Sequence, residues 1–167
     1  REMQQLGIVL DATHLTDEAF WEALDLFEGP VWASHNNCRA LVPHQRQFSD
    51  KQLQALIERD AVIGAAFDAW MLDAKWIQGE SLSTTVDLES VVNHIDHVCQ
   101  LAGNAQHAAI GTDLDGGYGS EQTPADVQSI AVIQELTGIL EDRGYSHADI
   151  QNISHGNWIR FLDNVWQ

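Results

Sequence analysis

Four short apolar runs punctuate the chain, and between them the apolar positions change to helical spacing. The runs are Ile8–Leu10, Val31–Ser34, Ala61–Phe67 and Ala108–Thr112. Each reads as a strand covered on both faces. Residues 1–6 read as the tail of a helix stopped by Gly7. After the first run, Thr16 is placed to cap a helix, with Asp17 and Glu18 in its first turn and Phe20, Leu24 and Phe27 on one face. Gly29-Pro30 ends it. After the second run comes a polar segment, 36–48, without a clean period. Ser49 and Gln52 then form a capping box before the stripe Leu53, Leu56 and Ile57. A long connection over 68–85 follows the third run and carries Trp70 and Trp76. Leu88, Val91, Val92, Ile95 and Val98 then predict a helix ending near Gly103. After the fourth run, the loop DLDGGYGSEQTP precedes a helix expected to carry Val127, Ile130, Ile133, Leu136 and Leu140. Ser146 with Asp149 opens a short helix, and Trp158, Ile159, Phe161, Leu162 and Val165 form a last stripe.

Strand and helix therefore alternate four times, with extra helices at the end. That order predicts an α/β fold with a parallel sheet and helical cover. A small doubly wound sheet fits it, and so does half of a TIM-like (β/α)8 barrel, which normally takes ~250 residues. Both architectures place their sites at the carboxyl ends of strands, where the polar segments of this chain fall.

Composition narrows the function. The 167 residues carry 25 Asp+Glu against 8 Lys+Arg, a formal charge of −17. Nucleic acid binding leans on basic patches, so it is disfavoured, as is an anionic membrane surface. Cys38 and Cys99 form neither a metal spacing nor a disulfide framework and read as free buried thiols. No run approaches the ~20 apolar residues of a membrane span, and no signal pattern is visible. This favours a cytoplasmic location. A start in mid-helix suggests a fragment.

The chemistry concentrates on three strand-end residues. His14, His35 and Asp113 follow the first, second and fourth strands, so a parallel barrel would point them into one mouth. Imidazole and carboxylate suit a divalent metal such as zinc. Two histidines fall short of the three protein ligands usual for catalytic zinc, so either the remaining ligands lie elsewhere or no metal binds here. Asp113, rather than Asp115 two residues on, is the expected general base beside a metal-activated water. Arg46, in the loop after His35, suits a substrate carboxylate through paired hydrogen bonds. Arg39 reads as a residue that orders the same loop. His94, His97, His107, His147 and His155 fall on helices or helix ends and read as structural or exposed.

The stretches GIVLDATHLT, PVWASHNNCRALVPHQRQFSD, HIDHVCQLAG, AAIGTDLDGG and GYSHADIQNISHGNWIRFL resemble the second half of the membrane dipeptidase (renal dipeptidase) family of zinc metallopeptidases. The resemblance covers nearly the whole chain in order. It implies the C-terminal half of a TIM-like (β/α)8 barrel of the metal-dependent hydrolase type, with residues 1–167 as that half and the N-terminal half absent. It also implies a two-zinc centre that hydrolyses dipeptides. By position, His14 and His35 match ligands of one zinc, Arg46 the residue that holds the substrate carboxylate, and Asp113 the residue that handles the proton of the bridging water. The family's His-x-Asp pair, its bridging glutamate and a further histidine near the substrate would belong to the missing half. The chain alone is therefore expected to be inactive. The expected partners are a dipeptide and that missing half, with a homodimer as a candidate assembly.

Two local departures stand out. Gln47 replaces the asparagine that usually follows the loop arginine, and Phe67–Leu72 has no clear family match. Two other functions remain open from the sequence: an inactive barrel homologue serving as a binding or structural module, and a different metal-dependent amidohydrolase.

Overall fold

The computed structural model describes residues 2–82 and 85–166. Arg1, at the head of the first predicted helix, and residues 83 and 84, in the connection over 68–85, lie outside the described residues. The elements run α1 (Glu2–Gln5), β1 (Leu10–Asp11), α2 (Asp17–Leu26), β2 (Val31–Trp32), α3 (Asp50–Glu58), β3 (Ile63–Ala65), α4 (Ala69–Leu72), α5 (Leu88–Ala102), β4 (Ala108–Ile110), α6 (Leu136–Asp142), α7 (His147–Gln151) and α8 (Asn157–Val165).

All four strands are parallel. β1 pairs with β2, Leu10 opposite Val31, and β3 pairs with β4, Ile63 opposite Ala108. A bridge between Ala33 and Ile63 joins the two pairs, with Ala33 N–H donating to the Val62 carbonyl and Gly64 N–H to that of Ala33. The strands therefore lie side by side in chain order. Each is shorter than the apolar run that predicted it. The first is displaced as well: Ile8 is 46% exposed and lies outside β1, while Asp11 lies inside it. Apolar residues at the ends of these runs pack inward from beyond the strands, as buried Phe67 does, its N–H donating to the Thr112 carbonyl.

The period-2 alternation of the strands separates two apolar layers. Val31, Ala33, Ile63, Ala65 and Ala108 point to one face, where Phe20 of α2, Leu53 and Leu56 of α3 and Val91, Val92 and Ile95 of α5 cover them. Trp32, Val62 and Ala109 point to the other, against Trp158, Phe161, Leu162 and Val165 of α8. Burying one such large side chain contributes about 1.5–3 kcal/mol. On this second face the backbones approach closely. A Cβ on Gly64 would overlap the Ser34 carbonyl oxygen and meet the Trp158 ring at 3.0 Å.

The caps follow the sequence. Thr16 Oγ1 accepts from Ala19 N–H, and Ser49/Gln52 and Ser146/Asp149 close capping boxes. Asp87 and Ser90 close another at the start of α5. The helix expected from Val127 to Leu140 is shorter. Val127 is buried in a loop, Ile130–Glu135 winds as 3-10 turns with Ile130 75% exposed, and α6 begins only at Leu136. The three-residue spacing of Val127, Ile130, Ile133 and Leu136 matches the three residues per turn of that tighter helix. The two predicted terminal helices are continuous through a wide π turn at Asn152–Gly156. Among the described residues, no helix is long and apolar enough to cross a membrane.

Candidate active site at the carboxyl ends of the strands

Each strand delivers a polar side chain at the same offset. Three residues beyond the last residue of each strand stand His14 (β1), His35 (β2), Asp68 (β3) and Asp113 (β4). His14 and Asp113 reach their places through left-handed backbone, φ 70° and 56°. That conformation is costly for residues other than glycine and concentrates at functional sites. Gly116 lets the turn fold back under Asp113: a Cβ there would lie 2.6 Å from the carboxylate.

The two histidines meet tip to tip, with Nε2 atoms 3.0 Å apart. Two imidazoles on one tetrahedral zinc, at bond lengths near 2.0–2.1 Å, place their nitrogens about 3.3 Å apart, so this pair fits a shared metal. Ser34 Oγ lies 2.8 Å from His35 Nδ1 and sets that ring from behind, as partners of metal-binding histidines do. Asp113 Oδ2 stands 3.8 Å from His35 Nε2. Among the described residues, no three His, Cys, Asp or Glu side chains converge closely enough to hold a metal.

Arg46 closes the other side. Its Nη1 donates to Asn36 Oδ1 (2.7 Å), and its Nη2 to the His35 carbonyl (3.1 Å) and towards His14 Nε2 (3.3 Å). Burial works against the guanidinium charge and lowers its pKa, while Asp113, Asp11 and Asp68 act in the opposite sense. For His14, burial and then the charges of Arg46 and His35 favour the neutral ring, which is the metal-binding form. His14, Thr16, Asp17, His44 and Arg46 line a cavity of about 350 Å³ beside the pair.

The structure therefore brings together all four predicted site residues: His14, His35, Arg46 and Asp113. Arg39 orders the loop, as expected, through a bidentate pair with Asp17 at 2.9 and 2.7 Å and bonds to the carbonyls of Gln45 and Gln47. His94 is structural. It is buried, and its Nδ1 accepts from Cys38 N–H. Both cysteines are free and buried.

Two acidic residues escaped the sequence reading. Asp11 Oδ1 accepts from the N–H groups of Thr13 and Ser34 and so clamps the turns that carry His14 and His35. Burial would raise its pKa, but hydrogen bonds from Ser34 and Thr13 prevail and hold it low. Asp68, 7% exposed, accepts from Trp70 Nε1 and Gln122 Nε2. A charged residue at the edge of an otherwise apolar run was the signal for both.

The whole chain, residues 1–167, matches the profile of the membrane dipeptidase family, peptidase family M19. It is 31% identical over 167 residues to an uncharacterized protein in the pqqA 5′ region of Klebsiella pneumoniae, covering 100% of this chain and 58% of that protein. It is 31% identical over 168 residues to dipeptidase tcpJ of Claviceps purpurea, covering 99% and 36%. A crystal structure of a metallopeptidase from Rhodobacter sphaeroides, liganded with a phosphinate mimic of the dipeptide L-Ala-D-Ala, superposes with a TM-score of 0.86 at 27% identity. That match covers 99% of this chain and 44% of the other. The chain thus spans between about a third and three fifths of the length of these relatives. With the profile matched from end to end and the fold shared, the chain belongs to the membrane dipeptidase family, peptidase family M19.

Proposed function

We propose that this chain is the C-terminal half of a (β/α)8-barrel dipeptidase that hydrolyses dipeptides with the aid of zinc. The observation that carries this reading is the convergence of His14 and His35 on one point, flanked by Asp113 and Arg46, at one end of a parallel sheet.

His14 Nε2 and His35 Nε2 are the atoms that would hold one of two zinc ions. Zinc supplies Lewis-acid polarisation of a carbonyl and acidifies water. Asp113 Oδ2 takes the proton of the attacking water and passes it to the leaving amine. Arg46, held by Asn36 and the His35 carbonyl, turns its guanidinium to the free carboxylate of the substrate and fixes the scissile bond against Asp113. The remaining metal ligands would come from the half of the barrel that precedes this chain.

The test is metal content and dipeptide hydrolysis of the full-length protein, with Arg46→Met beside it. Zinc-dependent hydrolysis, with KM raised about 100-fold in Arg46→Met, is expected from loss of a charged, bidentate contact. Hydrolysis with no metal dependence ends the proposal. So does a zinc-loaded protein that cleaves no dipeptide, which would instead favour the non-catalytic homologue.

A further inference from the structure

Asp68 completes the ring of strand-end residues, yet it points its carboxylate at neutral donors. Oδ2 takes the indole N–H of Trp70 at 2.7 Å, and Oδ1 takes the Gln122 amide at 2.9 Å. The indole so held packs edge-on against the His44 ring, with centroids 4.8 Å apart and planes at 70°. His44 Nδ1 in turn accepts the backbone N–H of Arg46 at 3.1 Å. A chain of contacts therefore runs from the loop after β4 (Gln122), through the end of β3 (Asp68, Trp70), to the backbone of the residue whose guanidinium reaches His14 and the His35 carbonyl.

A second tie runs parallel to it. Gln47, fully buried, donates through Nε2 to the Met71 carbonyl at 2.8 Å and takes Asn37 N–H on Oε1 at 3.3 Å. The bond to Met71 ties the Arg46 loop directly to the Phe67–Leu72 segment after β3.

We infer that Asp68 and Trp70 are positioning residues, which fix the orientation of Arg46 through His44 and thereby set affinity for the substrate carboxylate. The inference rests on the proposed dipeptidase reading, in which Arg46 is the carboxylate anchor. Asp68 acts through the indole. Its burial and its two donors reserve it for holding the indole, and a correctly held indole denies His44 and the Arg46 backbone other arrangements. A loosened Arg46 binds the dipeptide more weakly, while Asp113 and the histidines, on other strands, retain their geometry.

The experiment is a double-mutant cycle on the full-length enzyme, measuring kcat and KM for a dipeptide. Trp70→Ala should raise KM about tenfold, the upper end of what a well-packed aromatic pair contributes, with kcat changed less than about twofold. Asp68→Ala should do the same. Asp68→Asn, which keeps an acceptor for the indole N–H and tests the fold where alanine destabilises it, should recover most of the loss. In an Arg46→Met background, Trp70→Ala should cost less than about twofold more. If Trp70→Ala costs the same in both backgrounds, or Asp68→Ala lowers kcat at unchanged KM, the positioning role is overturned while the anchor role of Arg46 stands. If Arg46→Met itself leaves KM unchanged, the anchor reading fails and the positioning role falls with it.

Discussion

Asp113 sits at φ 56° over a glycine whose missing Cβ makes room for its carboxylate, which brings Oδ2 to 3.8 Å from His35 Nε2. A side chain held in costly backbone is over-determined by its surroundings, so small changes should act on its chemistry first. Asp113→Asn keeps the shape and removes the proton acceptor. In the full-length enzyme kcat should fall by about 10²–10⁴-fold with KM changed little, the span expected for a general base. A kcat within about threefold of wild type would remove Asp113 from the proton path. Gly116→Ala should also lower kcat, because its methyl meets the carboxylate at 2.6 Å. At this scale the sequence was most legible where chemistry and position coincide: His14, His35 and Asp113 end apolar runs, and Arg46 is one of few cations. It was least legible where a carboxylate serves as backbone glue. Asp11 and Asp68 drew no role from sequence, because one of the donors each satisfies lies 23 or 54 residues away, Ser34 N–H and the Gln122 amide.

At the level of elements, periodicity and caps carried most of the reading. α2, α3 and α5 begin at capping side chains, and their stripes cover the sheet. What periodicity could not convey was the division of labour within an element. α5 presents Val91, Val92 and Ile95 to the sheet, and the same helix buries His94 against the backbone of the loop after β2, with Nδ1 accepting Cys38 N–H at 3.1 Å. Burial, and next the nearby His97, push the His94 pKa down from 6.5 to about 4. The ring is neutral in the folded protein but takes up a proton in the unfolded chain below about pH 6.5. Its contribution is therefore complete above that pH and is lost as pH falls towards 4, roughly 3 kcal/mol in all. Thermal melts from pH 7 to 4 should show a falling midpoint, and His94→Leu should flatten that slope. At pH 7 the same variant should be less stable by about 1–3 kcal/mol, since Cys38 N–H is left buried without a partner. An unchanged slope in His94→Leu would assign the pH dependence to other groups.

For the whole molecule, the deciding feature is the sheet. β1 pairs only with β2 and β4 only with β3 among the described residues, so both outer edges carry unpaired backbone. Such edges invite further strands. Along the second face, α8 covers Trp32, Val62 and Ala109. Large apolar side chains stay in the open near the amino-terminal side of β1, Leu6 at 72% and Ile8 at 46% exposed, with Trp166 at 66% and its indole N–H on the Gly7 carbonyl. On the half-barrel reading, four more strands pair with these edges, and the second metal's ligands arrive with them. On the same reading, the two imidazoles at 3.0 Å are part of a zinc site whose high affinity needs more donors. The 167-residue chain alone should therefore bind zinc weakly and hydrolyse no dipeptide. The full-length protein should retain about two zinc ions per chain through gel filtration and be active. Separately expressed halves, mixed in zinc, should recover part of that activity, as paired edges and shared ligands reassemble. Zinc content by elemental analysis, together with release of free amino acid, reads both outcomes. An isolated chain that turned over a dipeptide at the full-length rate would show the site to be complete within these residues and would overturn the half-barrel reading.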